Sequence, residues 1–260
     1  MMLPRYARNL EALSVSDQAI LAGRTVAVVG CGGLGGYLLE YLGRLGIGGL
    51  IAIDGDCFDE TNLNRQLLCT EADIGKAKAL VAAERLGRVN GSVRMTGHAL
   101  RLTELNGPSL LAGADLVMDA CDNIPTRRSL QLIAARLNVP LVHGAIAGWY
   151  GQVATILPGD PGFDLIYRQP EASSKSNFSD ASAAFAAGLA EPGKQGEPGE
   201  RGRGIENRLG NLSFGPAAVA AWQTAEAVKL FSGRGQTLHG RIMVMDFLEN
   251  ETEVFSLASG

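Results

Sequence analysis

The sequence predicts an α/β fold in which helices cover both faces of a doubly wound, mostly parallel sheet. Two observations lead to this prediction. Short runs of β-branched and apolar residues alternate along the chain with stretches of helical periodicity. The first of these runs ends abruptly in a cluster of glycines that opens a helix. Because ligands of such folds bind beyond the carboxyl ends of the strands, the residues that follow each strand are the first candidates for a functional site.

The amino-terminal half has the clearest pattern of elements. Residues 25–29 form an unbroken run of β-branched and apolar residues, which is typical of a strand buried on both faces of a parallel sheet. Apolar residues then recur at helical spacing over 34–45, and a second apolar run at 50–53 completes a βαβ unit. The same criteria predict helices at 76–86 and 127–137, and strands at 92–97, 116–118 and, after a turn signal, 141–142.

The second half is less regular. A strand is predicted at 151–157, a helix at 216–231 and a further strand at 241–245. Residues 159–210 have little periodicity, and 191–204 are rich in glycine, proline and charge. Such a composition buries too little apolar surface to order itself, so we expect a mobile loop there.

Composition excludes several classes of protein. With 23 basic and 27 acidic side chains in 260 residues, the net charge of −4 provides no electrostatic footprint for nucleic acid. The longest apolar stretches fall well short of the roughly 18 residues that span a membrane, and no secretory core precedes them. Cys31, Cys57, Cys69 and Cys121 form no C-x-x-C pair, which favours free thiols in a reducing cytoplasm.

A glycine-rich turn follows the first predicted strand. The residues Gly30-Cys31-Gly32-Gly33-Leu34-Gly35 let phosphates approach the backbone at a helix N-terminus, which favours negative charge. Asp54 ends the next strand, 24 residues after Gly30, where an acidic side chain commonly accepts hydrogen bonds from a ribose. The combination predicts an adenine-nucleotide site, without distinguishing NAD from ATP.

A dense polar block at 54–66, followed by Gly-Lys-Ala-Lys at 75–78, favours ATP. A plain dehydrogenase needs only the ribose acid here, whereas Arg65 and one of the two lysines could neutralise a triphosphate. The segment Asp-Ala-Cys-Asp-Asn at 119–123 places carboxylates at the end of another strand. Carboxylates in that position suit Mg²⁺, which joins protein to phosphate through one or two acids.

These motifs, with the entry segment Arg5-Tyr6-Ala7-Arg8, resemble the ThiF/MoeB/HesA family of ubiquitin-activating-like adenylyltransferases. The resemblance covers residues 5–157 and again 210–250, and its most specific element is the Asp-x-Asp…Asn-Leu-Asn-Arg-Gln block. It implies a Rossmann-like ATP-binding domain at 23–157, preceded by a helical arm at 1–22. It also implies a mobile crossover loop at 158–211, and a helix with antiparallel strands at 212–260 that complete the same domain.

The resemblance also implies an activity. Enzymes of this family use ATP and Mg²⁺ to adenylate the C-terminal glycine of a small ubiquitin-like sulfur carrier of the ThiS or MoaD type, which ends in Gly-Gly. Pyrophosphate is released, and the activated carrier serves thiamine or molybdopterin biosynthesis. Because a C-terminal carboxylate is already ionised at neutral pH, this step needs no catalytic base. We therefore expect His98 and His143 to be structural.

Residue roles follow from the same resemblance. Asp54 would hold the ribose, Asp122 the magnesium ion, and Arg8 would reach the phosphates from the other subunit of a homodimer. Lys78 is preferred to Lys76, and Arg127 is a second-tier candidate. The expected catalytic residues are Arg8, Arg65, Lys78 and Asp122. The expected nucleotide-binding residues are Gly30, Gly32, Gly33, Gly35, Asp54, Asp56, Asn62, Arg65, Gln66, Lys78, Asp122 and Asn123.

The cysteine pattern departs from the family. Many relatives carry two C-x-x-C pairs that bind zinc, and some carry a sulfur-transfer cysteine in the crossover loop, but residues 122–260 contain no cysteine. Since structural zinc needs thiolates or imidazoles, we expect neither zinc nor a covalent sulfur relay. The four cysteines are expected to be small buried or strand-end residues. Trp149 and Tyr150 are expected either to contact the carrier or to pack internally.

Three alternatives remain open at this point. A tRNA-modifying dehydratase of the same fold also adenylates a carboxylate, and tRNA-dependent ATP hydrolysis would identify it. An NAD-dependent oxidoreductase would bind NAD in preference to ATP. A binding module that keeps the fold without turnover would lack activity in the parent chain as well as in an Asp122→Ala variant.

Overall fold

The computed structural model describes residues 3–167 and 209–257, so the predicted loop at 191–204 lies outside the described residues. The described part contains one eight-stranded sheet. Its strands are β1 (Thr25–Val29), β2 (Gly49–Ile53), β3 (Arg94–His98), β4 (Leu116–Asp119), β5 (Leu141–Ala147), β6 (Tyr150–Ile156), β7 (Arg241–Asp246) and β8 (Glu251–Ser256). The spatial order is β3-β2-β1-β4-β5-β6-β7-β8.

Strand pairing changes from parallel to antiparallel along this order. The pairs β3–β2, β2–β1, β1–β4 and β4–β5 are parallel, whereas β5–β6, β6–β7 and β7–β8 are antiparallel. This confirms the predicted α/β class, a mostly parallel sheet with antiparallel strands added at the C-terminal end. The point where the strand order reverses lies between β1 and β4, which is where such sheets bind ligands.

Helices cover both faces of the sheet. They are α1 (Val15–Ala22), α2 (Gly33–Leu45), α3 (Lys78–Val89), α4 (Gly107–Leu110), α5 (Ile124–Arg136), α6 (Phe163–Ile166) and α7 (Phe214–Ser232). One core contains apolar side chains of α2, α3 and α7, and the other contains those of α5 and α6. Val26 and Val28 of β1 point into the first core, and Ala27 and Val29 into the second. The run of β-branched and apolar residues at 25–29 is thus explained by a strand that is buried on both faces.

The structure adds elements that periodicity missed. Helix α1 has only eight residues, and its start is fixed by a capping box between Ser14 and Asp17. Strand β8 is an edge strand whose residues 251–254 are all exposed, so it carries little apolar signal. Strand β5 runs to Ala147, five residues beyond its predicted end. In the part of the chain that is described, no helix combines the length and apolarity needed to traverse a bilayer.

The N-terminal segment packs at the far end of α2 from the glycine turn. Residues Pro4–Asn9 form a 3-10 helix, and Tyr6 within it is buried. The Asn9 amide donates to the carbonyl of Leu45, the last residue of α2. The amide of Asn90, which follows α3, donates both to Tyr6 Oη at 2.8 Å and to the Gly43 carbonyl at 2.7 Å. Arg8 therefore lies near the C-terminus of α2.

Candidate active site

The glycine turn between β1 and α2 is shaped by two close backbone approaches. Gly30 has a φ of +93°, and a Cβ on it would overlap the carbonyl oxygen of Ala120, which follows β4. A Cβ on Gly35 would overlap the carbonyl oxygen of Gly30. Only glycine meets these two requirements without strain. The turn brings the first backbone N–H groups of α2 beside the end of β4, as the predicted phosphate-binding loop requires.

Asp54, directly after β2, is tied to this turn. Its Oδ2 accepts a hydrogen bond from the Cys31 backbone N–H at 2.7 Å, and its Oδ1 accepts one from the Asp56 N–H at 2.8 Å. Burial raises the pKa of Asp54 above its ordinary value, and the two hydrogen bonds and the nearby charge of Lys78 offset part of that rise. Each carboxylate oxygen keeps a lone pair, so Asp54 can accept further hydrogen bonds from a ligand.

The polar block after Asp54 is a compact loop held by its own side chains. Asp59 caps the 3-10 helix Glu60–Asn62, and the buried amide of Asn62 returns a hydrogen bond to Asp59. Arg65 Nη1 donates to the Thr61 carbonyl at 2.9 Å, which turns the guanidinium back onto the loop. The observed contacts of Asn62 and Arg65 therefore shape the loop.

Gln66 has a buried acceptor at the glycine turn that is unpaired within the described ranges. Its side chain is 6% exposed, and its Oε1 has no hydrogen-bond partner among the described residues. The amide lies 3.6 Å from where a Cβ of Gly32 would sit, directly against the glycine turn. A buried acceptor without a donor costs free energy, so this position suits a ligand or a water that supplies one.

Lys78 and Lys76 differ sharply in their surroundings. Lys78 opens α3 and is 8% exposed, its ammonium lies 5.9 Å from the centre of the Phe58 ring, and its charge acts on both Asp54 and Asp59. Lys76 is exposed and pairs with Asp73 at 3.0 Å. The structure therefore places Lys78, and not Lys76, near the carboxylates of Asp54 and Asp59.

The turn after β4 supplies the remaining candidates. Asp122 is exposed, and its Oδ1 accepts a hydrogen bond from the Asn123 amide at 3.0 Å. Asn123 is the N-cap of α5, because its Oδ1 accepts from the Thr126 N–H at 2.9 Å. Since Ala120 contacts Gly30, the Asp122 carboxylate belongs to the same edge of the sheet as the glycine turn.

The residues from the chain's second half that reach this site were not found by motif analysis. Pro216, in the first turn of α7, lies 3.3 Å from where a Cβ of Gly33 would sit. The Asn64 amide donates to the Asn211 carbonyl at 3.1 Å. Helix α7 was predicted from its periodicity, but periodicity alone does not indicate which earlier loop a helix start will cover.

One predicted site residue, Arg8, does not join the others. It lies near the C-terminus of α2, whereas the glycine turn lies at its N-terminus. A helix of 13 residues spans about 20 Å, which is longer than an arginine side chain. Arg8 therefore cannot reach the nucleotide turn of its own chain.

Comparison with known proteins shows the family to which the chain belongs. The ThiF family matches residues 6–259. The chain belongs to the ThiF family. The SAMP-activating enzyme E1 of Haloferax volcanii is 31% identical over 249 residues, covering 95% of this chain and 82% of that protein. The sulfur carrier protein adenylyltransferase of Thermus thermophilus is 35% identical over 255 residues, covering 95% and 84%.

Within the ThiF family, this chain is an adenylyltransferase. A solved structure of E. coli MccB with MccA-N7isoASN shares the fold, with a TM-score of 0.77 and 21% identity over 99% of this chain and 72% of that one. The motifs quoted from the sequence thus identified the family correctly.

The site residues of this ThiF-family chain also fit Mg²⁺ and ATP. Magnesium keeps several waters and binds through one or two carboxylates together with substrate phosphates, so the exposed Asp122 is a suitable donor without further protein ligands. In the described ranges, no three His, Cys, Asp or Glu side chains converge as a metal-binding group. The donor set therefore suits an ion shared with a nucleotide.

Three of the four cysteines are buried, as expected, and one is not. Cys31, Cys69 and Cys121 are buried, and burial raises the pKa of all three thiols. Cys57 instead is exposed, four residues after β2, so the prediction of four buried or strand-end cysteines is wrong for this one. Cys57 lies in the polar block that follows β2, so the apolar packing that buries the other three thiols does not extend to it.

Trp149 and Tyr150, which follow β5, lie in different environments. Trp149 is 42% exposed and packs on Phe214 with ring centres 5.2 Å apart, whereas Tyr150 is half-buried at the start of β6. Phe214 in turn meets Phe247 edge-on at 5.6 Å. Trp149, Phe214 and Phe247 therefore form an aromatic cluster that is partly exposed to solvent, whereas Tyr150 is partly enclosed by the sheet.

Proposed function

We propose that this enzyme adenylates the C-terminal glycine of a small ubiquitin-like sulfur carrier that ends in Gly-Gly. Two relatives of similar length, covering most of this chain, are named for activating SAMP and a sulfur carrier protein, which supports this class of substrate. The observation that carries the proposal is the buried Lys78 beside Asp54, next to a glycine turn that only close backbone approach explains. A positive charge there is required by a triphosphate but not by NAD.

The nucleotide would lie across the glycine turn. Asp54 would accept hydrogen bonds from the ribose, with Asp56 beside it, while the backbone of Gly30, Gly32, Gly33 and Gly35 admits the phosphates. Lys78 and Arg65 would neutralise phosphate charge, and Asn62, Gln66 and Asn123 would complete the pocket. Asp122 would hold Mg²⁺, which when bound spreads the negative charge of the phosphates.

The adenylation step depends little on general acid or general base catalysis. A carboxylate oxygen of the carrier's terminal glycine attacks the α-phosphorus of ATP, and the bond to the bridging oxygen of the leaving pyrophosphate breaks. The products are a carrier acyl-adenylate and pyrophosphate. Because both reactants are anions, the protein must position them and screen their charge, which is what Lys78 and Arg65 can do.

We also propose that the enzyme works as a homodimer. Arg8 is exposed and too far from its own glycine turn, so a role in catalysis requires that it enter the site of a second copy. This arrangement would complete each phosphate pocket with one arginine from the partner copy.

Carrier-dependent exchange of labelled pyrophosphate into ATP tests the proposal. We expect exchange with a Gly-Gly-tailed carrier, none with the same carrier lacking its last glycine, and none in an Asp122→Ala variant. Comparing a ThiS-type with a MoaD-type carrier would choose between thiamine and molybdopterin pathways. ATP hydrolysis stimulated by tRNA instead of a carrier, or calorimetric preference for NAD, would overturn the proposal.

A further inference from the structure

A fully buried polar network lies directly beneath the turn that carries Asp122. Asp119 and His143, register partners on β4 and β5, are both 0% exposed, and Arg127 of α5 is 1% exposed. His143 Nδ1 lies 2.6 Å from Asp119 Oδ2, and Arg127 Nε lies 3.4 Å from the same oxygen. Gln152 of β6 closes the network, with its amide nitrogen 2.9 Å from His143 Nε2.

This network holds both the N–H and the carbonyl of Cys121, the residue before Asp122. Asp119 Oδ1 accepts a hydrogen bond from the Cys121 N–H at 2.9 Å. Arg127 Nη2 donates to the Cys121 carbonyl at 2.5 Å, and that carbonyl belongs to the peptide unit that joins Cys121 to Asp122. Asp119 and Arg127 therefore fix the backbone that leads into Asp122.

His143 orients Asp119, which in turn lies beside Arg127. Burial lowers the pKa of His143, and its hydrogen bond with Asp119 only partly opposes this, so the ring is neutral near pH 7. The neighbouring groups then fix the tautomer: Nδ1–H donates to the Asp119 carboxylate, and Nε2 accepts from the Gln152 amide. Arg127 is in turn held by a hydrogen bond from Nη1 to Tyr167 Oη at 3.0 Å.

We propose that His143 is a positioning residue for metal binding: by orienting Asp119, and through it Arg127 and the Cys121–Asp122 peptide, it holds the Asp122 carboxylate where Mg²⁺ and the phosphates meet. This inference rests on the proposed role of Asp122. Residues one step removed from a metal ligand commonly change metal affinity by about 10–100-fold when they are replaced.

A purely structural role for His143 predicts something different. A buried histidine that only fills space and satisfies hydrogen bonds would, when replaced, lower the unfolding temperature and leave metal affinity unchanged in the fraction that folds. Metal affinity and stability must therefore be measured separately. Two isosteric replacements separate them, because each keeps one half of the imidazole's hydrogen bonding.

The test compares His143→Asn with His143→Gln. Asparagine places an amide nitrogen at the δ position and can still donate to Asp119, whereas glutamine places its amide at the ε position, toward Gln152, and leaves Asp119 without that donor. The readout is the dissociation constant of Mn²⁺, followed by its electron paramagnetic resonance signal, in the presence of a non-hydrolysable ATP analogue. The analogue's own affinity is measured in EDTA, and the unfolding temperature is measured in parallel.

We expect His143→Gln to weaken Mn²⁺ binding about tenfold, His143→Asn to remain within about threefold of the parent, and nucleotide affinity in EDTA to be unchanged in both. Equal Mn²⁺ affinity in the two variants and the parent would overturn the inference, whatever happens to the unfolding temperature. The Mn²⁺ measurement uses no carrier protein. Its failure is therefore distinct from failure of the proposed function, which would appear as a lack of pyrophosphate exchange by the parent enzyme.

Discussion

Asp119 and His143 are opposite each other on neighbouring parallel strands, and His143 Nδ1 lies 2.6 Å from Asp119 Oδ2 with neither side chain exposed. Burial alone would raise the pKa of Asp119, but the charge of Arg127 and the hydrogen bond from His143 outweigh it and lower that pKa. Burial lowers the pKa of His143. The folded protein thus favours an ionised aspartate beside a neutral histidine.

This pair makes stability depend on pH in a defined window. Above the unfolded pKa of histidine, about 6.5, His143 is neutral in both states and has no effect on the slope. As the pH falls below that value, the unfolded chain binds a proton that the folded chain resists, so the free energy of unfolding falls by up to about 1.4 kcal/mol per pH unit until the lowered folded pKa is reached. Asp119 contributes separately, below about pH 4, because its folded pKa is lowered.

Denaturant unfolding at pH 7.5 and pH 5.5 checks this expectation. The parent should lose more stability between these two values than His143→Asn, which has no titrating ring. Parallel losses in the two proteins would show that His143 is protonated equally in the folded and unfolded states.

The glycine turn offers a prediction with an internal control. Gly35→Ala puts a Cβ into the carbonyl oxygen of Gly30, and we expect it to cost about 3 kcal/mol of folding free energy and to abolish ATP binding. Gly87, within α3, has no atom within 4 Å of its Cβ position. Gly87→Ala should therefore stabilise the protein by up to about 1 kcal/mol through helix propensity. The measurements are thermal unfolding and calorimetry with ATP, and a Gly35→Ala protein with normal ATP affinity would contradict the assignment of the turn.

The two lysines of the Gly-Lys-Ala-Lys segment should behave oppositely. Lys78→Met removes the buried ammonium that would bind phosphate, so the KM for ATP should rise about 10–100-fold, the usual value of a hydrogen bond to a charged group. Lys76→Met removes an exposed ion pair with Asp73 and should leave kcat/KM nearly unchanged. Pyrophosphate-exchange kinetics distinguish them, and a larger effect at Lys76 would reverse the assignment.

Arg8 allows a test across subunits. Arg8→Ala and Asp122→Ala should each be inactive as homodimers, because each removes one part of every site. When the two variants are unfolded together and refolded as a mixture, half the dimers are mixed and each has one intact site, so about a quarter of parental activity should return. A mixture that remains inactive, while size-exclusion chromatography shows mixed dimers, would show that Arg8 does not act in trans.

Much of the site could be predicted from the sequence because its residues follow strands directly. The glycine turn begins directly after β1, and Asp54 and Asp122 lie within three residues of the ends of β2 and β4, so the fold class alone brings them to one edge. Lys78 was separable from Lys76 only by family resemblance, since burial of one lysine depends on how α3 docks.

The buried network under Asp122 could not be predicted in the same way. It joins β4, β5, β6 and α5, and its key contact depends on register: Asp119 opposite His143. A shift of one residue would place His143 on the other face of the sheet. A single histidine carries no sequence pattern, so the sequence predicts only a structural role for His143, and its neighbours in the fold indicate a more specific one.

Helix α7 completes the packing of residues that are synthesised much earlier. Pro216 packs at Gly33, and the Gln223 amide donates to the carbonyls of Asp119 and Val142 from the face opposite the buried network. These contacts come from residues that leave the ribosome nearly 200 positions after the first strand. The nucleotide half therefore reaches its final packing only after α7 has been synthesised, and a chain interrupted before α7 would leave the first core uncovered.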